Sequence, residues 1–250
     1  MKNKIMEWLE EQGYPLEMRV ASAFRDKGFE VRQSQYYADP DDGNFREIDI
    51  VATAPDFYGI TNVDFVIECK TSKKPWIIFT ADNILEGWNI IIPYCIHTMS
   101  ARNVLVEKGI DVIKKLPGMK KGGRVAYGMT QAFTTGIDVT YKASTSVIKA
   151  SIYRKRSLDK NDSRFLFIFP CIVVDCKIFE CFFDADGEIT IEEITGVDYW
   201  FSMEIAGELG TCIRIITLDK LLDYVEEAKS ISDALLSILD ADAKAKLKIK

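Results

Sequence analysis

Val63-Asp64-Phe65-Val66-Ile67-Glu68-Cys69-Lys70-Thr71 is the stretch on which the fold turns. Its β-branched and aromatic residues, entered from the turn formers Gly59 and Asn62, predict a strand. Side chains alternate faces along a strand, so Phe65, Ile67 and Cys69 share one face and Val66, Glu68 and Lys70 the other. A carboxylate and an ammonium therefore emerge about 6.6 Å apart from an otherwise apolar element. Two charges there are costly unless something pairs or uses them.

Upstream, Ile5 to Glu11 predicts a short amphipathic helix with Ile5, Trp8 and Leu9 on one side, ended by Gly13 and Tyr14. Pro15 suits the first turn of a second helix, Leu16 to about Lys27, which Gly28 stops. Glu17 sits in its first turn. Phe29–Tyr37 and Phe45–Thr53 read as strands around the turn Ala38–Asn44. In the second, Ile48 and Ile50 are expected on one face and Glu47, Asp49 and Val51 on the other. With 63–71 these strands predict an antiparallel meander behind a helix.

Downstream, Trp76–Phe79 predicts a short strand, and Asp82 a helix N-cap before Pro93. Thr98–Lys108, Val125–Thr135 and Val139–Tyr153 read as helices, which would set Tyr127 and Gln131 one turn apart. Arg164–Val174 predicts a buried strand, and Lys177–Phe183 with Glu188–Ile194 a hairpin across Asp184-Ala185-Asp186-Gly187. Cys212–Thr217 follows as a strand, then Leu218 to about Leu239 as one or two acidic helices and Lys244–Lys250 as a frayed tail. The expectation is one α/β domain over 1–250, a three-layer α/β/α arrangement around a central mixed sheet. Within it, 13–71 carries the motif, 114–164 the basic segment, and 164–240 further strands and helices.

Composition narrows the function classes. A chain of 250 residues with 48% hydrophobic and 11% aromatic content has ample material for a core. Glu7, Glu10 and Glu11 interrupt any leader-like apolar run, and no stretch nears the roughly 20 apolar residues of a membrane span. A soluble, cytoplasmic protein without a membrane partner is expected. The six cysteines form no CxxC pair and there is one histidine, His97, so reduced core thiols are favoured over zinc or iron–sulfur ligation. Twelve of the 32 Lys and Arg residues, but three of the 38 Asp and Glu, fall between Lys114 and Arg164. That segment carries net +9 inside a chain of net −6. Such a stripe suits phosphates whatever the total charge, or is a solvated basic surface. Lys73, Lys74 and Trp76, just past the motif, could grip a phosphate or stack a base, or serve the surface and core.

Antiparallel neighbours would bring Asp49 and Glu68 within a few ångströms, where two carboxylates repel unless a cation lies between them. Mg²⁺ takes one or two carboxylates plus water and phosphate oxygens, and the Cys69 carbonyl could complete the shell. Lys70 alongside could orient or deprotonate water, or neutralise charge growing on a phosphate. Glu47 could join the cluster or be a solvated edge residue.

Ile48-Asp49 followed by Glu68-Cys69-Lys70, behind Gly13-Tyr14-Pro15-Leu16-Glu17, resembles the active site of the PD-(D/E)XK nuclease superfamily, which includes type II restriction enzymes, Holliday-junction resolvases and recombination exonucleases. The family pattern is a helix bearing Glu, a strand bearing Asp, then a strand ending in (D/E)-x-K. Order, element types and spacing agree across residues 13 to 71; Ile48 stands where the pattern often has Pro. The resemblance implies a restriction-endonuclease-like fold and a metal-dependent endonuclease. Asp49 and Glu68 would bind Mg²⁺ or Mn²⁺, Lys70 would serve the attacking water, and Glu17 would assist metal or water. DNA is the implied partner, although nothing in the residues separates it from RNA. Many relatives work as dimers, which leaves a homo-oligomer open. The alternative is a non-catalytic module that binds nucleic acid or a partner protein on the same fold.

Overall fold

The computed structural model describes residues 1–86, 93–109, 112, 116–117, 123–135, 138–158, 164–205, 207–208 and 210–247. The protein is an α/β structure built on one mixed, 11-stranded sheet. Helices α1 (Lys2–Gln12) and α2 (Tyr14–Asp26) lead into strands β1 (Glu30–Ala38), β2 (Phe45–Pro55), β3 (Thr61–Thr71) and β4 (Trp76–Ala81). Next come β5 (Ile96–His97), α3 (Met99–Lys108), β6 (Val125–Gln131) and α4 (Val139–Leu158). Strands β7 (Phe165–Asp175), β8 (Ile178–Phe183), β9 (Ile189–Ile194), β10 (Gly196–Phe201) and β11 (Thr211–Thr217) follow, and α5 (Leu221–Lys246) closes the described chain. The strands lie in the order β1-β2-β3-β7-β11-β10-β6-β4-β8-β9, with β5 against β7.

The expected meander is present: β1 pairs antiparallel with β2, and β2 with β3. Strand β3 then runs parallel to β7 over its full length, from Thr61↔Phe165 to Thr71↔Asp175. Every residue of β7 except Asp175 is buried, as its uninterrupted apolar run requires of a strand covered on both faces. Pro170 fits because it falls in a gap on the far edge of β7. The β5 ladder there covers Phe167 and Ile168, and the β11 ladder begins at Cys171.

Side-chain alternation sends β3 into two cores. Phe65, Ile67 and Cys69 join α2, α3 and α5 on one face, while Val66 joins α4 on the other. Phe65 is the hub of the first core, with its ring centroid 5.9 Å from Phe24, 5.6 Å from Phe29 and 5.2 Å from Phe169. Each such fully buried ring contributes roughly 1.5–3 kcal/mol through its removal from water.

Several elements depart from the sequence reading. Val125–Gln131 is a strand, not a helix, paired antiparallel with β4 and bridged to β10. Tyr127 and Gln131 therefore lie on a strand. The residues have no helical apolar stripe, and sheet partners distant in sequence supply the backbone bonds. Asp82 caps no helix among the described residues, since 82–86 form turns; 87–92 lie outside them. A 3-10 turn at Leu218–Lys220 leads into one α-helix, Leu221–Lys246, so the expected fraying of the tail does not start at Lys244. Strand β10 has no counterpart in the sequence reading. Ile48 and Ile50 also part company: Ile48 lies in the α4 core with Val51, Ile50 in the opposite core with Ala52. The β1–β2 ladder skips Ser34 and Asp49, and Ser34 has φ +52°. The ribbon turns over at that point.

The basic segment is only partly described, with 114–115, 118–122, 136–137 and 159–163 outside the described residues. The charges that are described are largely spent inside the protein. Arg154 meets the fully buried Asp64 at 2.5 Å, Lys149 meets Asp39 and Asp41, Lys155 meets Glu208, and Arg124 meets Glu180. Arg154 also donates to Thr53 Oγ1 at 3.0 Å. Removing one partner of a buried pair leaves the other charge unsolvated. Arg154→Leu is expected to cost about 3–5 kcal/mol, read as a lower urea midpoint, and Asp64→Leu/Arg154→Leu together to recover most of it.

Candidate functional site

Four side chains singled out in the sequence converge where β2 and β3 stop pairing. The β2–β3 ladder ends at Ile50↔Ile67. One step further, the Cys69 N–H, deprived of a strand carbonyl, donates instead to Asp49 Oδ2 at 2.7 Å. That bond fixes Asp49 against the Glu68-Cys69-Lys70 backbone. Its other oxygen accepts no hydrogen bond from the described residues.

Glu68 is 6% exposed. Its Oε1 accepts from Lys70 Nζ at 2.5 Å, and its Oε2 accepts from Ser146 Oγ on α4 at 3.1 Å. Tyr37 buttresses this corner by donating its hydroxyl to the Ser146 carbonyl at 3.4 Å. The α4 contact has no signal at the motif level, because Ser146 lies 78 residues from Glu68.

Glu17 arrives from the other face. Gly13 joins α1 to α2 with φ +84°, a conformation glycine adopts without penalty. A Cβ there would come within 3.3 Å of Thr71 Oγ1, so the helix start is pressed against the end of β3. Pro15 opens α2, and Leu16, Val20 and Phe24 bury its inner side. Glu17 is thereby carried to the charged cluster, where it has no ion pair or hydrogen bond of its own among the described residues.

The electrostatics record the crowding. Partial burial, followed by the charges of Asp49 and Glu47, pushes Glu17 up to about 7. Burial, then Asp49, pushes Glu68 up to about 7, with Lys70 pulling the other way. Burial also raises Asp49, against the pull of Lys70 and the Cys69 N–H. Burial alone would lower Lys70, but Glu68 and Asp49 outweigh it and hold the ammonium charged. Glu47 is exposed and acts on Glu17 and Asp49 by repulsion.

Beside the cluster opens a cavity of about 470 Å³ lined by four cations, Arg46, Lys70, Lys142 and Lys149, and two carboxylates, Asp39 and Glu68. Arg46 and Lys149 are tethered to Asp39 and Lys70 to Glu68, so among the described residues Lys142 faces the space most freely. Other candidates lie elsewhere. Trp76 is fully buried in the α4 core and offers no stacking face. Lys74 donates to the Phe133 carbonyl at 2.6 Å. Burial drops His97, on β5, to about 4 and keeps it neutral. None of the six cysteines is in a disulfide among the described residues, and four of them are buried. No described helix is long and apolar enough to cross a membrane.

Could this cluster hold a divalent cation? Among the described residues no group of three or more His, Cys, Asp and Glu side chains forms a ready metal cage. What it offers is oxygen: an Asp49 oxygen without a hydrogen-bond donor among the described residues, a buried Glu68 and a half-buried Glu17, all raised chiefly by burial against the pull of Lys70. Mg²⁺, which keeps several waters and takes one or two carboxylates, fits such an open donor set. The chain matches no protein-family model, no curated protein and no solved structure.

The raised carboxylates set the sign of a pH effect. Glu17 and Glu68 keep their protons in the folded state up to about 7 but lose them near 4.5 when unfolded. Stability is therefore expected to fall as pH rises from 4.5 to 7 and then level off. Glu68→Gln should flatten that fall, a difference of roughly 5 °C in melting temperature between pH 5 and 7.5.

Proposed function

We propose that this protein is a metal-dependent nuclease, hydrolysing phosphodiester bonds of DNA at a PD-(D/E)XK-like site on a restriction-endonuclease-like core. One observation carries the reading. A helix Glu, a strand Asp and a strand Glu-x-Lys, from three separate elements, meet at one corner of the sheet beside a cation-lined cleft. Surface strands contain E-x-K by chance, but chance does not also bend β2 so that Asp49 binds the backbone at Cys69.

Asp49 and Glu68 would hold Mg²⁺ or Mn²⁺. When bound, such an ion supplies a water more acidic than bulk water and a Lewis acid for the phosphoryl oxygen. Lys70 stays protonated beside two carboxylates, so its part is to donate to a phosphate oxygen as negative charge grows there. Glu17 has no ion pair among the described residues and its carboxyl lies near 7, suited to take a proton from water at neutral pH. Lys142 and Lys149 line the cleft where the strand's backbone would lie. Contacts of that kind bind any sequence and weaken with salt.

The binding-module alternative draws on a different observation. Both Glu68 oxygens are already engaged, by Lys70 and Ser146, so the site is partly self-satisfied without a metal. The readings separate in one assay. Plasmid, single-stranded DNA and RNA are incubated with Mg²⁺ or Mn²⁺ and wild type, Lys70→Ala or Asp49→Asn protein. Wild type is expected to cleave, and each variant to lose about 10²-fold or more. Absence of cleavage by wild type on every substrate would favour the module; cleavage surviving both substitutions would reject the site. Mn²⁺ is further expected to raise the wild-type melting temperature at pH 7.5 and leave that of Asp49→Asn unmoved.

A further inference from the structure

Next to the cationic cleft lies a second cavity of about 350 Å³, between β1 and α4, whose chemistry differs. Its floor is apolar, from the buried Ile48, Val51 and Val66; Tyr36 and Tyr153 stand around it with Arg32, and Tyr37, 2% exposed, lines it without offering a free face. Tyr36 is 68% exposed on the edge strand. Tyr37 and Tyr153 hold their rings 6.3 Å apart. Arg32 is exposed and has no ion pair among the described residues, whereas Arg154, also on the wall, is locked to Asp64. Tyr37 lines both cavities, so the two spaces adjoin.

We propose that this second cavity receives an unpaired nucleobase of the strand whose phosphate occupies the cationic cleft, making single-stranded or locally unpaired nucleic acid the substrate class. The inference rests on the nuclease reading for its phosphate end and on the cavity's own chemistry for its base end. An apolar floor with tyrosine walls matches the flat face of a base, and the volume falls within the range of small-ligand pockets. Arg32 at the rim adds a cation for the neighbouring phosphate or the base face. The adjacent cleft, lined by four cations against two carboxylates, suits the phosphate that a free apolar ligand would lack. In a duplex both faces of a base are covered by its stacked neighbours, so only an unpaired base can enter.

The test uses fluorescence anisotropy without divalent metal, comparing a labelled single strand with an abasic strand of the same length and charge, and with the blunt duplex. The intact strand is expected to bind about tenfold or more tightly than the abasic strand. Tyr36→Ala and Tyr153→Leu should each erase most of that difference. Tyr36 is largely exposed, so its variant is expected to melt as wild type does. Equal binding of intact and abasic strands would overturn the inference, as would a preference untouched by both substitutions. Displacement of the strand by a mononucleotide at equal concentration would also overturn it, by assigning the cavity to a free nucleotide. The nuclease reading fails separately. A base preference lost in Tyr36→Ala, with no cleavage under any metal, keeps the cavity and discards the hydrolysis. Equal cleavage of strand and duplex with no base preference does the reverse.

Discussion

A single hydrogen bond, from the Cys69 N–H to Asp49 Oδ2, organises the charged corner of this protein. It exists because the β2–β3 ladder stops at Ile50↔Ile67 while β3 continues toward Thr71. A buried N–H left without an acceptor is costly, and a carboxylate is a strong substitute for the missing carbonyl. The same bond pins Asp49 next to Glu68 and Lys70. The Ser34 backbone, with φ +52°, belongs to this event, since it faces Asp49 where the ribbon turns over. A non-glycine residue in that conformation is uncommon and persists only where its surroundings enforce it.

Around that bond the sheet divides labour between its faces. One face carries the aromatic core centred on Phe65 and receives α2, which delivers Glu17. The other receives α4, which delivers Ser146 to Glu68 and two of the four cations of the cleft wall, Lys142 and Lys149. Lys70 and Glu68 therefore meet groups from both sides at the sheet end. Burial, with added repulsion from Asp49 on Glu17 and Glu68, remains in the cluster as raised carboxyl groups, and Lys70 only partly compensates it.

The positive segment of the sequence has a different meaning in the fold than its charge suggests. Arg154, Lys149, Lys155 and Arg124 each close an ion pair with an acidic residue far away in sequence. Among the described residues, these four charges thus balance carboxylates and are less available to a ligand. What the segment's described residues turn to the cleft is a smaller set, Lys142 and the Asp39-bound Lys149. Net charge along a sequence overstates a binding surface whenever the counter-charges come from other elements.

Local pattern sufficed for the meander, for α2 with Pro15 and Glu17, for the apolar run of β7 and for the β8–β9 hairpin. In each, propensity and turn chemistry agree with the final pairing. Asp49, Glu68 and Lys70 were legible for the same reason, since their spacing is set by strands whose ends can be read from Gly59, Asn62 and Lys73. Residues 125–131 were not, because without neighbours that stretch favours neither state and only β4 and β10 decide it. The reversal that separates Ile48 from Ile50, the Ser146 support for Glu68 and the tyrosine-walled cavity were likewise invisible. Each depends on which distant element packs against which. Sequence alone determined the kinds of charged groups this protein carries and the order in which it carries them. Tertiary structure decided which of those charges neutralise one another and which remain at the sheet end, because a charge's partner is chosen by distance in space.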